Sequence, residues 1–238
     1  MTKNSLAQTA NPSADLHYYL VHDRFGEPEG LLAEEFLLAA DYSSVGLMSG
    51  GWSRAVGRWR DASATSRRLR VDAALRARVT PVGRTAAALY RDLGGVDLPD
   101  ETALRRCFGD LPAQTPPLLR LDGSQATSGF RETRVYRILF TDELTQVGLA
   151  ALSDTWQMPV TGDLTDPEMQ IVGAVHRRVA GDAFRWNLRR VAAGAAWGLD
   201  VTCDLGGKRD EAVGMLLRGL TTQMRQQGLI PITLDRFR

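Results

Sequence analysis

Hydrophobic and polar positions change their spacing along this chain in a way that predicts short helices punctuated by a few strands. Residues 16–21 (LHYYLV) are aromatic and aliphatic, the composition of a strand. Gly26, Pro28 and Gly30 interrupt that run, and residues 31–40, rich in Leu, Ala and Glu, predict a helix. Gly50-Gly51 predicts a turn, after which Ser53 caps a helix reaching residue 60 and Ser66 caps another over 67–79. Thr80-Pro81 reads as a helix start and Gly94-Gly95 as its stop. Residues 97–101 open one more helix, ending near Cys107.

The second half mixes the two periods. Residues 111–117 (LPAQTPP) form a linker candidate, because prolines break a helix. Residues 118–121 and 132–140 predict a hairpin with a long tip. Asp142 is placed to cap a helix reaching Trp156, and Thr165-Asp166-Pro167-Glu168 to start one that ends at Gly181. Asp182 restarts a helix whose apolar face is Phe184, Leu188, Val191 and Ala195, closed by Gly198. A strand over 199–204, an amphipathic helix over 208–227 stopped by Gly228, and a strand over 229–234 have the size of a βαβ unit. Pro231 favours an edge position in the last strand, because proline donates no ladder bond. The predicted fold class is α+β and helix-predominant, a small mixed sheet with a C-terminal βαβ-like unit. The predicted organisation is a flexible tail over 1–14 and one compact domain over 15–238, with a sub-boundary at 111–117.

Composition narrows the class without choosing a function. The chain is 44% hydrophobic and 24% charged, as in ordinary soluble globular proteins. Its longest uncharged apolar run, residues 191–199, is far short of the roughly 20 residues a membrane-spanning helix needs. The opening residues lack the apolar core of a secretory signal, so a cytoplasmic location is expected. Cys107 and Cys203 show no metal-ligand spacing and read as free thiols. With three scattered histidines, no metal centre and no cofactor is implied.

Charge is sorted along the chain. Residues 15–41 hold seven acids against Arg24, while residues 52–91 hold ten arginines against Asp61 and Asp72. Between the blocks lie Gly50, Gly51, Trp52, Ser53 and Arg54, with Arg58 one helical turn on. Two glycines before a helix start can turn amide hydrogens toward an anion, and two arginines on one face can grip it. Those six residues are the candidate ligand site. Gly206-Gly207-Lys208-Arg209 has the position of a phosphate loop, but lacks its first glycine and its Ser or Thr. His22 and Asp23, at a predicted strand end, are the candidate acid/base pair, although adjacent residues in extended chain face opposite ways. His176 is expected on a helix among buried valines.

No dinucleotide fingerprint, nucleophile elbow or kinase signature appears. Whether the chain is an enzyme is left open. The charge sorting points first to one soluble subunit of a two-component system in bacterial small-molecule metabolism. Such a subunit binds a partner protein or a second copy of itself, and an anionic ligand through its arginine-rich face. A stand-alone transferase or lyase acting on a carboxylated or phosphorylated molecule is the second class, with His22 or Asp23 moving the proton. A nucleic-acid binder using 52–91 as a helix-turn-helix is the third, opposed by a pI of only 7.8.

Overall fold

The computed structural model describes residues 16–86, 89, 92–94, 97–109, 126–161, 170–192 and 196–237. Strand outweighs helix, 43% to 27%, and the strands form two five-stranded antiparallel sheets. The expectation of a helix-predominant fold with a small mixed sheet is therefore overturned. The expected tail over 1–14, the sub-boundary at 111–117 and the strand over 118–121 lie outside the described residues.

The first sheet has the order β4-β3-β2-β1-β5. Its strands are β1 (His17–His22), β2 (Pro28–Leu38), β3 (Ser44–Ser53), β4 (Arg60–Asp61) and β5 (Val79–Val82). β2 occupies the stretch predicted as a helix. Its Leu, Ala and Glu favour helix locally, but a strand paired on both sides and covered on both faces buries Leu31, Leu32 and Ala33 together. One face packs Tyr19 and Leu32 against Leu69 and Leu75 of helices α1 (Ser63–Val71) and α2 (Ala73–Arg76). The other packs Leu16, Tyr18 and Ala33 against Leu104 of α3 (Glu101–Arg105) and the nearby Phe108. Thr80-Pro81 lies in β5, an edge strand where proline costs no ladder bond, and starts no helix.

The second sheet has the order β10-β6-β9-β8-β7. Its strands are β6 (Glu132–Thr141), β7 (Ile171–Val179), β8 (Asp182–Ala192), β9 (Ala196–Leu205) and β10 (Ile230–Arg236). Ala180 and Gly181, at φ 50° and 90°, make a two-residue turn between β7 and β8, with both positions left-handed as a tight hairpin requires. Gly181 thus turns a hairpin rather than ending a helix. In β8, Phe184, Trp186 and Leu188 are buried. That alternation has a period of two, where sequence reading followed the wider spacing of 184, 188 and 191. Helices α4 (Gln146–Trp156) and α5 (Glu211–Gln226) cover the buried face with Leu149, Leu152, Leu217 and Leu220. The residue capping α4 is Thr145, whose side chain accepts from Gly148 N, and not Asp142. β9 and β10 each run antiparallel to β6, so they point the same way with β6 between them and form no adjacent parallel pair. Pro231 sits on the edge strand beside a bulge.

Several contacts join the sheets, among them Tyr136 Oη donating to Asp41 O at 2.8 Å and the Arg76–Asp142 ion pair. Ile230 of β10 enters the apolar cluster of Tyr19, Leu32 and Leu69. Tyr42, in the β2–β3 turn, enters the core of the second sheet and donates to Asp210 at 3.3 Å. Arg225 of α5 donates to Tyr18 O at 2.9 Å and to Tyr19 Oη at 3.4 Å, with its guanidinium 4.8 Å above the Tyr19 ring.

Candidate functional site: a cleft between the sheets

Where α5 and β10 meet the first sheet, the side chains leave a partly open cleft of about 400 Å³. β1 contributes His17, β2 contributes Phe36 and Leu38, the following turn Tyr42, and β6 Ile138. α5 contributes Gly214, Leu217, Arg218 and Thr221, spaced so that they share one helical face, and β10 contributes Pro231, Thr233 and Leu234. Gly214 is required there, because a Cβ would stand 2.5 Å from Cε1 of Tyr42. The helix therefore rides directly on the tyrosine ring. Gln223, also in the wall, accepts from Trp156 Nε1 at 2.6 Å and is held by α4.

The walls mix apolar with polar side chains, and two of the polar atoms have no partner among the described residues. His17 Nδ1 and Thr233 Oγ1 are both shielded from solvent and make no hydrogen bond. Such atoms are uncommon, since a buried polar group without a partner costs about 1–3 kcal/mol. The His17 ring meets Phe36 edge-on at 6.2 Å. Burial, and then the positive charges of Arg225 and Arg70, push its pKa well below the ordinary 6.5. His17 is therefore neutral at neutral pH.

Charge is concentrated beside this cleft. Glu34 is fully buried and receives two bonds from Arg70, at 2.9 and 2.8 Å, and one from Ser66. That ion pair joins the acidic and basic blocks of the sequence inside one molecule. Glu35, which also lines the cleft, is paired with Arg105 at 2.7 and 3.0 Å. Arg225, 7% exposed, bonds only a carbonyl and a phenol, and Arg218 has no ion pair among the described residues.

The residues singled out from sequence lie elsewhere and are not brought together. Gly50 and Gly51 are inside β3, paired with β2 and β4, so they form no turn or anion-binding loop. Close packing explains them: a Cβ on Gly50 would stand 2.8 Å from the Phe108 ring, and one on Gly51 3.1 Å from the Ala62 methyl. Trp52 is buried with Leu20 and Leu31, and Ser53 ends β3. Arg54 and Arg58 are exposed in the turn that follows, where a helix was predicted. His22 Nδ1 is 3.2 Å from Arg78 O, while the Asp23 carboxylate accepts from the amides of Phe25 and Glu27. The two share no bond. His176 lies exposed on β7. The amides of Gly206 and Gly207 are already taken by the Asp182 carboxylate.

Sequence reading missed His17, Phe36, Arg218 and Thr233, which come from β1, β2, α5 and β10. One signal was available for His17, a lone histidine in the apolar run LHYYLV. Among the described residues no group of three His, Cys, Asp or Glu is placed to hold a metal ion. No described helix is long and apolar enough to cross a membrane. The chain matches no family model, no curated protein and no solved structure.

Proposed function

We propose that this chain is a small-molecule-binding protein whose ligand occupies the cleft between the two sheets. The observation that carries the reading is the cleft of about 400 Å³ with His17 Nδ1 and Thr233 Oγ1 buried beside it and unpartnered. Its size falls within the roughly 300–1,000 Å³ usual for small-molecule sites, and its lining joins apolar side chains such as Phe36 and Leu234 to polar ones that can orient a ligand. Filling the cleft tests this. Thr233→Phe, on the edge strand, should lower the affinity for any cleft ligand at least tenfold while leaving the far-ultraviolet circular dichroism unchanged. Ligand binding as tight as in the wild-type protein would place the site elsewhere.

A second reading, a subunit that docks on an acidic partner protein, is favoured by Arg54, Arg58, Arg60 and Arg67. All four are exposed and without an ion pair among the described residues, on the β3–β4 turn, β4 and the adjoining helix. Exposed charge of one sign speeds and orients association. Under this reading, changing Arg54 and Arg58 to Glu together slows association with the partner, and the effect shrinks as salt rises.

A further inference from the structure

Six charged groups lie in or near the cleft, Glu35 and Arg218 in its wall, and their pairing is unequal. Glu34 is bonded to Arg70, and Glu35 to Arg105. Those four charges cancel. Arg218 lines the cleft with no ion pair among the described residues, and Arg225 lies one wall deeper with only neutral acceptors. Arg105 also meets Glu101 at 3.4 Å, whereas Arg218 and Arg225 have no carboxylate partner among the described residues. Arg225, 7% exposed, is a cation withdrawn from water without a counter-charge, which is costly, while the half-buried Arg218 is the one that reaches the cleft.

We propose that the missing counter-charge belongs to the ligand: the cleft binds an amphipathic carboxylate, its head group on Arg218 and its apolar body against Phe36, Leu38, Ile138, Leu217 and Leu234. This rests on the small-molecule reading above. A single guanidinium fork matches the two oxygens of a carboxylate. Phosphate is usually met by a helix N-terminus or a turn of free amides. Arg218 is instead in the middle of α5 (Glu211–Gln226), where the backbone amides are engaged in the helix. The neutral His17, 6.2 Å from the Phe36 ring, leaves an imidazole nitrogen free of protein partners beside the same space.

Titration calorimetry of the full chain at low ionic strength with octanoate, octan-1-ol, acetate and octyl phosphate tests the assignment. Octanoate should bind one per chain, at least tenfold tighter than octan-1-ol, while acetate, lacking the apolar body, should not bind. Arg218→Gln should bring octanoate down to the affinity of octan-1-ol and leave the alcohol unchanged, and Arg218→Lys should keep part of the preference. Equal binding of octanoate and octan-1-ol to the wild-type protein would overturn the anionic assignment while leaving a cleft that binds small molecules. Octyl phosphate binding more tightly than octanoate would overturn the choice of carboxylate. Binding of none of the four would remove both readings.

Discussion

His17 is a half-buried imidazole whose neighbourhood includes two arginines, and it gives the stability of the protein a pH dependence of definite sign. Its folded pKa lies well below 6.5, mainly through burial and then through Arg225 and Arg70. The unfolded chain takes up this proton below pH ~6.5 and the folded chain does not. Stability from this residue is therefore fully present above pH ~6.5 and is lost as pH falls, by up to roughly 1.4 kcal/mol per pH unit. Asp200 and Asp204, whose pKa values are held below the ordinary carboxylate range despite burial, by arginines and, for Asp204, threonine hydroxyls, act only at lower pH. Urea titrations at pH 5.0 and 6.5 should show a smaller pH effect in His17→Gln than in the wild-type protein. Equal effects would mean that His17 protonates in the folded state. Glu34→Gln should cost about 3–5 kcal/mol, because it leaves the Arg70 guanidinium buried without its counter-charge. Replacing both, Glu34→Leu with Arg70→Met, should recover much of that loss in the same urea assay.

At the scale of elements, packing overrode local preference, and the turns show where. Gly50→Ala puts a methyl into the Phe108 ring, an overpacking that should cost about 1–3 kcal/mol. Adding Phe108→Leu should restore part of the melting temperature; a neutral Gly50→Ala would show that the strand shifts freely there. Ala180, at φ 50°, occupies a hairpin position that asparagine fills with less strain, so Ala180→Asn should raise the melting temperature. The same residue explains the misread hairpin. Ala180-Gly181 lacks the usual asparagine, so β7 and β8 read as two helices broken at a glycine. β1 and α5 were legible because each carried its own stop, Gly26, Pro28 and Gly30 after the strand and Gly228 after the helix. β2 was not legible, since a strand buried on both faces carries no alternation to read.

In the whole molecule, the candidate site was hidden for a geometric reason. Its walls come from β1, β2, β6, α5 and β10, and nothing local in any one of them marks the convergence. The charge sorting was legible, but its meaning was not: Glu34–Arg70 uses part of it inside the core, and Arg54 and Arg58 leave another part on the surface. Sodium chloride at about 1 M shortens the screening length to roughly 3 Å and acts weakly on a buried pair. The melting temperature should therefore change little. A drop of more than about 10 °C would mean that exposed pairs, and not Glu34–Arg70, carry most of the ionic contribution to stability. Arg225→Met removes the bond from α5 to Tyr18 O, a charge-assisted contact of about 1.5–3 kcal/mol. Hydrogen exchange should then quicken in β1 more than in β8.

The tie from Arg225 to Tyr19 spans 206 positions of sequence. Closing such a loop is slow, because chain entropy is lost before the contact forms. The cleft that this tie helps to shape is thus a late product of folding, and no excised segment can carry it. Occupancy of the cleft would serve as a probe of tertiary closure, silent in a chain with formed hairpins but undocked sheets.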